Sequence, residues 1–401
     1  MRTVLEIVFW LSCGLILWTQ AGYAAALAVL ARLLAATRAG PRERTQRSPD
    51  RGEAHQSPGP PEHPPAMLSL IVAAHDEEAV IAAKVRNALA LDYPRERLEL
   101  IVACDGCADA TAARARDAGA DLVLELPRGG KIRAQDAAVE RARGEIVAFS
   151  DANALWEPDA AHALIAAFED PRVGYACGQV RFVQASSGVG AANQEGVYWR
   201  YELAVRALES RLSSITAGNG AIYATRRDAY IVVDPIMGHD LSLPFNIVKR
   251  GLRAVYVPGA CASEKMVPSL GGEFARKRRM MSHTWPILLR GGMLSPRGYP
   301  PGYALMILSH RLLRYATPAL HLIALAANVA LLALGAGSLY VVTLDLQLLL
   351  LLAAALAGAL PLRPFLIARY YVLTTASPAA GLWDWLRHGT PAGWDAAEGT
   401  R

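Results

Sequence analysis

The sequence predicts an α/β fold: a Rossmann-like domain with a mostly parallel sheet, flanked on both sides by transmembrane helices. Three observations carry that expectation. Apolar residues make up 53% of the 401 and crowd into long tracts at the two ends of the chain. Strand-like and helix-like patterns alternate between residues 68 and 150. The polar residues of that region fall where the strand-like runs end, which is where open α/β sheets collect their ligands.

The first apolar tract, Val4 to Ala36, is almost uncharged until Arg32. About 20 residues cross a hydrocarbon core, and the run exceeds the roughly 7–15 apolar residues of a cleaved signal peptide. Residues 1–37 therefore read as a transmembrane helix. Arg38, Arg42, Arg44, Arg47 and Arg51 follow at once. Short basic flanks stay cytoplasmic, so the next segment is expected on the cytoplasmic side of an inner (plasma) membrane crossed several times. Residues 38–66, rich in Pro, Gly, Arg and Ser, read as a linker.

The folded domain is expected over residues 67–295. Strand-like runs at 68–74, 98–104, 121–126 and 145–150 alternate with helix-like runs at 77–90, 108–117 and 131–143, which implies a parallel sheet with helices on both faces. Residues 296–383 return to the bilayer in two or three helices, near 314–336, 340–361 and 365–382, and 384–401 form a tail. Arg369 and Pro378 interrupt the third stretch, which suits an interfacial helix as well as a span.

Composition narrows the partners. The net charge of +5 requires no nucleic acid, because basic residues near the spans account for it and no aromatic-rich basic module is visible. Of five cysteines, Cys104 and Cys107 form a Cys-x-x-Cys, yet no second pair and no His partner lies at ligand spacing along the chain, so they are expected to be reduced and without a metal.

The strand ends concentrate the chemistry. The first runs into His75-Asp76-Glu77-Glu78, the second into Asp105-Gly106, the third into Arg128-Gly129-Gly130-Lys131, and the fourth into Asp151-Ala152-Asn153. Each alone reads equally well as a turn or a helix cap. Together they form one polar crevice. A carboxylate and an amide oxygen at 151 and 153 suit a hard divalent cation, and Lys131 at a helix start beside two glycines suits a phosphate.

The stretches AAHDEEAVIAAKVRNALALDYP, VACDGCADAT, RGGK and FSDANALWEPDA, continued by YWRYE, AGNGAIYATRRD and GHDLSLPFNIVKRGLRAVYVPGA, resemble in order the motifs of the membrane-anchored family 2 glycosyltransferases, relatives of the cellulose, chitin and hyaluronan synthases. The resemblance covers roughly residues 68–290 and implies an A-type glycosyltransferase fold, a nucleotide-sugar donor (a UDP-sugar) and Mg2+ or Mn2+. It implies that Asp76 and Asp105 contact the uridine end, that Glu78 is among the substrate-binding residues, that Lys131 lies near the nucleotide, and that Asp151 and Asn153 hold the metal. Asn153 stands where the family's Asp-x-Asp motif has its second aspartate, which removes one negative charge.

Asp240 falls at the family's catalytic base, with His239 in place of the usual acidic neighbour and read as orienting or structural. Gly218 and Asn219 are expected to turn the chain beside donor or acceptor, and Tyr198, Trp199 and Tyr201 to serve either a sugar or a helix core. Processive members carry Gln-x-x-Arg-Trp where this chain has Arg276-x-x-Arg279-Met280. Arg276 and Arg279 are candidates for the diphosphate, while the missing Trp argues against long-chain polymerisation. The expected partners are a saccharide or lipid-linked acceptor, the membrane, and an oligomeric or export partner. The departures at Asn153 and Met280 also fit a catalytically weak, sugar-nucleotide-binding regulator. A transporter fits poorly, since more than half the chain reads as an α/β domain and the spans show no paired repeat.

Overall fold

The N-terminal tract forms one long helix, in which α1 (Arg2–Leu17) passes through a π-helical turn at Trp18–Gly22 into α2 (Tyr23–Arg38). The computed structural model describes residues 1–38, 65–183, 191–265 and 270–393; the expected linker lies almost wholly outside them. The α/β region then runs β1 (Leu68–Ala74), α3 (Ile81–Leu89), β2 (Leu98–Asp105), α4 (Thr111–Asp117), β3 (Leu122–Leu126), α5 (Lys131–Arg141) and β4 (Ile146–Asp151). It continues with β5 (Leu155–Trp156), α6 (Ala160–Ala166), β6 (Val173–Val183), α7 (Ala191–Leu212), β7 (Tyr223–Arg226), α8 (His239–Lys249), β8 (Arg253–Lys265) and α9 (Leu270–Leu289).

The eight strands form one sheet in the order β3-β2-β1-β4-β7-β6-β8-β5. Its first half is parallel, as expected, whereas β7 enters antiparallel between β4 and β6, so the sheet as a whole is mixed. Period-two alternation divides the core. Leu68, Leu70, Val72 and Ala74 of β1 pack with Val85 of α3, Ala115 of α4 and Leu164 of α6, while Ile71 faces the layer built by Ala138 of α5, Val205 of α7 and Phe245 of α8. With both faces covered, β1 and β2 are buried along their whole lengths, which is why they read as unbroken apolar runs. The chain leaves β1 for β2 on one side and reaches β4 on the other, so a crevice opens at the carboxyl end of β1.

The helix α3 begins four residues later than its apolar pattern suggests. Asp76 takes a left-handed backbone (φ 50°), and the Glu77 and Glu78 amides donate to Thr111 Oγ1 (2.8 Å) and Asp109 Oδ2 (3.0 Å) instead of entering a helix.

Beyond the sheet, α10 (Pro301–Met306) runs through a π-helical segment, Ile307–Leu312, into α11 (Leu313–Ala333), followed by α12 (Ser338–Leu356) and α13 (Arg363–His388). Among the described residues three helices are long and apolar enough to cross a membrane: Arg2–Thr37, Pro301–Ala333 and Ser338–Leu356. Phe9 of α1 packs with Ala324, Ala327 and Leu331 of α11 and with Tyr340 of α12, while Ile7, Leu11, Leu322, Val342 and Leu349 stay exposed, as lipid-facing side chains do. The third C-terminal stretch instead lies along α9. Trp285 Nε1 donates to Pro378 O (2.8 Å), Arg278 pairs with both oxygens of Asp384 (2.5 Å each), and Gly381 leaves no room for a Cβ against Met281.

A buried polar knot joins the apolar flanking helices to the α/β domain. Glu209 of α7 accepts from Tyr23 Oη (2.7 Å) in α2, from Thr216 N (3.0 Å), and pairs with His310 Nδ1 (2.7 Å). Arg311 Nε donates to Thr216 Oγ1 (2.9 Å), Arg314 pairs with Glu202, and Tyr303 Oη donates to Ile215 O (3.0 Å). Buried ionisable groups are costly unless paired, and here they fasten residues 215–216, just before Gly218, to the C-terminal helices.

Candidate functional site

Asp105 ends β2 and is 1% exposed. Its carboxylate is largely spent on the next loop: Gly129 N donates to Oδ1 (2.6 Å) and Gly130 N to Oδ2 (2.9 Å). Asp105, expected at the nucleoside, also sets the shape of the Gly129-Gly130 turn, which Gly130 completes with φ 96° before α5 starts at Lys131. Asp76 and Glu78 are similarly engaged. Asp76 Oδ1 accepts from Ala108 N (2.7 Å), while Glu78 Oε2 accepts from Ala110 N (3.2 Å) and faces Arg114 (3.5 Å). Glu78 is thus a latch between the loops after β1 and β2.

The fold also supplies a histidine that the linear spacing of the cysteines did not show. His75, Asp76 and Cys107 bring one ligand atom each within 4.8 Å of one another. His75 Nδ1 is held on Asp105 O at 2.7 Å.

Lys131 reaches across to Asp151 at the end of β4 and forms a close ion pair with it. Burial disfavours the ammonium, but Asp151, with smaller help from Asp240 and Glu264, outweighs it and raises the Lys131 pKa. Gly220 lies over this pair: a Cβ there would stand 3.3 Å from Lys131 Nζ and 3.6 Å from Asp151 Oδ2. Asn153 follows two residues on, half-buried. Oxygen donors at 151 and 153, with a cationic group already drawn to Asp151, are the chemistry a hard divalent cation asks for.

Asp240 opens α8 behind Gly238, and its carbonyl accepts from Gly218 N at 2.7 Å. Gly218 is a glycine of necessity, because a Cβ would meet Tyr175 Oη at 2.1 Å. Asn219, expected to turn the chain beside donor or acceptor, points inward: Nδ2 donates to Gly178 O (2.7 Å), and Oδ1 accepts from Ala221 N (3.1 Å) and Ile222 N (2.9 Å). It builds the turn that brings Gly220 over Asp151. Of the aromatic candidates, Tyr198's side chain lies outside the described residues, and Trp199 is fastened to β6 through Val180 O (2.9 Å) and Phe182.

His239 is buried with Nδ1 at 3.0 Å from Tyr223 Oη and Nε2 at 3.2 Å from Tyr230 Oη. Burial, with Lys131 adding to it, depresses its pKa to about 3, so it is neutral and structural. Since the unfolded imidazole binds its proton near pH 6.5 and the folded one only near 3, the unfolded chain binds more protons in that window and stability falls as pH drops through it. We expect a loss of up to ~1.4 kcal/mol per pH unit, flattened in His239→Gln, as read from thermal melts between pH 6.5 and 4.

The sequence model of the family described as "Glycosyltransferase like family 2" matches residues 64–282, more than half of the chain. The chain belongs to glycosyltransferase family 2. It is 28% identical over 168 residues to an N-acetylglucosaminyltransferase of Mesorhizobium japonicum (39% of each chain) and 26% identical over 214 residues to one of Rhizobium meliloti (49% of this chain, 50% of that). The chain thus spans about half or less of the length of these relatives. Among solved structures it is similar to a mannosyltransferase of Pyrobaculum calidifontis in complex with GDP-Man and Mn2+: TM-score 0.66, 24% identity, 93% of this chain and 98% of that one. That likeness establishes the A-type glycosyltransferase fold, with apolar helices flanking the domain at both ends.

Within this family 2 domain three further groups border the crevice that the sequence patterns did not reveal. Lys84 of α3 is wholly buried, donates to Ala154 O (2.6 Å), and is depressed to about 7 by burial; it holds the turn after Asp151 from beneath. Glu264, at the end of β8, is raised to about 7 by burial and by Asp151, against the pull of Lys131, Arg276 and Lys84. Of the two arginine candidates, Arg276 acts on Glu264 and so borders the crevice, while Arg279 is exposed on α9.

The third group is the segment after α13. Thr390 Oγ1 donates to Ser282 O (2.9 Å), and the segment then passes over the glycine turn so closely that a Cβ on Gly130 would lie 2.2 Å from Ala392 O, and one on Gly393 3.4 Å from an Arg128 nitrogen. Truncation after His388 should weaken donor binding by about tenfold, roughly 1.4 kcal/mol, in an equilibrium titration; unchanged affinity would show that the segment only passes by.

Proposed function

We propose that this protein is an inverting, membrane-anchored transferase that moves a hexosyl or N-acetylhexosaminyl group from a nucleotide-sugar, a UDP-sugar, to a saccharide or lipid-linked acceptor of the cell surface. The observation that carries the reading is the Lys131–Asp151 pair, set at the carboxyl end of β4 with Asp240 in Coulombic reach. The relatives' names and the neighbour solved with GDP-Man and Mn2+ support the same chemistry. The three apolar helices and the basic residues after Thr37 support a membrane protein whose transferase domain faces the cytoplasm.

In this reading Asp240 takes the proton of the acceptor hydroxyl as its oxygen forms the bond to the anomeric carbon, and the bond from that carbon to the diphosphate oxygen breaks, leaving the nucleoside diphosphate. A divalent cation, Mg2+ or Mn2+, held by Asp151 and Asn153, would supply Lewis-acid stabilisation to the departing diphosphate. Lys131 exchanges its carboxylate partner for a phosphate oxygen, and the amides of the Gly129-Gly130 turn, kept in place by Asp105, border the nucleotide. Arg276 adds charge from α9.

The test is nucleoside diphosphate release by detergent-purified protein across a panel of UDP- and GDP-sugars, with Mg2+ or Mn2+ and a lipid extract as acceptor. Release with one donor supports the transferase and names the donor. Tight nucleotide binding with no turnover for any donor would favour the regulator that Asn153 and Met280 suggest.

A further inference from the structure

We infer that Glu264 is a third protein ligand of the divalent cation, supplying the carboxylate that an Asp-x-Asp motif would have placed at position 153. The inference rests on the transferase reading above and deepens it.

Placement comes first. The short antiparallel pairing of β5 with β8 sets Leu155 against Ser263 and Trp156 against Ala262. Continuing that register by one residue puts Glu264 opposite residue 154, directly beyond the Asp151-Ala152-Asn153 turn. The strand pairing thus carries a carboxylate from the far end of the sheet to the edge of the crevice.

The electrostatic neighbourhood agrees. Asp151, Lys131, Arg276 and Lys84 are the charged groups that act on Glu264. Yet among the described residues its carboxylate accepts no hydrogen bond and joins no ion pair, because Lys131 is spent on Asp151 and Lys84 on Ala154 O. Two carboxylates facing one lysine, with only one of them paired, leave a site short of a cation.

The donor count points the same way. A hard cation of this class takes about six oxygen ligands. Asp151 with an amide at 153 offers one protein charge, against two in an Asp-x-Asp motif, and Glu264 restores the second from β8. The Asn153 departure is then a relocation of charge rather than a weakening of the site.

The test is Mn2+ binding by the purified full-length protein, read as free Mn2+ by electron paramagnetic resonance, with and without UDP. Glu264→Gln should weaken Mn2+ binding by about tenfold or more, within the range that ligand-sphere changes produce, while metal-free UDP binding is retained or strengthened, because a negative charge is removed from beside Lys131 and Arg276. Asn153→Asp in the same background should restore the Mn2+ affinity, since it returns the charge from the other side. Unchanged Mn2+ affinity in Glu264→Gln, or no recovery in the double variant, would overturn the assignment. Should Glu264→Gln fail to fold, Glu264→Asp decides: it keeps the charge but shortens its reach, so weaker Mn2+ binding is expected, and unchanged Mn2+ affinity overturns the inference. Wild-type protein that binds UDP but no Mn2+ would instead sink the metal-dependent transferase reading itself.

Discussion

Asp240→Asn should lower turnover by about 10²–10⁴-fold, the range over which a positioned general base contributes, while nucleotide and metal binding stay near wild type. The amide keeps the shape of the carboxylate but cannot take the acceptor's proton. The Asp240 carbonyl still accepts from Gly218 N, so the turn through Asn219 and Gly220 is retained. Single-turnover rates alongside equilibrium donor titration would separate the two effects. A variant that loses donor binding and turnover together would place Asp240 in donor recognition rather than proton transfer. The neighbouring His239 offers no substitute base, because both of its ring nitrogens are held on tyrosine hydroxyls and burial keeps it neutral.

Glu209→Ala should destabilise the protein by about 3–5 kcal/mol, the cost of breaking a buried ion pair from one side. Its carboxylate is fully buried and serves Tyr23, Thr216 and His310 at once. Removing it takes one of the two carboxylates that act on buried Arg311 from the place where the apolar helices meet the domain. The expected readout is a large drop in the midpoint of thermal unfolding in one detergent. Unfolding at the wild-type midpoint would mean that water enters the knot and solvates the partners. Because residues 215–216 lead directly into Gly218 and its bond to Asp240, the same knot ties the crevice to the apolar C-terminal helices.

Much of this was readable from residues alone, and the reason is local. Strands β1, β2 and β4 are central, buried almost along their whole lengths and therefore written as apolar runs ending in polar residues, so their positions and the crevice they define follow from pattern. The long, nearly uncharged helices at the two ends declare themselves by length.

The strands after β4 were not read. β5 has two residues, β7 has four and enters antiparallel, and β8 reaches the crevice only through pairings set by the tertiary fold. Glu264 and Lys84 escaped notice for the same cause: each stands far along the chain from the motif it borders, and a lone Glu in a strand or Lys in a helix carries no spacing signal.

Other residues expected to border the ligand are also bound within the protein. Asn219, Glu78 and most of Asp105's hydrogen-bonding capacity turn to backbone amides and carbonyls, because short polar side chains at strand ends satisfy loop groups first. The crevice depends on them as its frame. His75 shows the converse, since the β1–β2 pairing brings it to Cys107 across more than thirty residues of sequence that spacing alone does not bridge.

The most direct test of the central claim is the anomeric configuration of the product, read by proton nuclear magnetic resonance after transfer from an α-linked nucleotide-sugar. One carboxylate, Asp240, acting as base in a single displacement predicts a β-linked product that disappears in Asp240→Asn. An α-linked product would require two displacements or a different attacking group, and would contradict the assignment of Asp240.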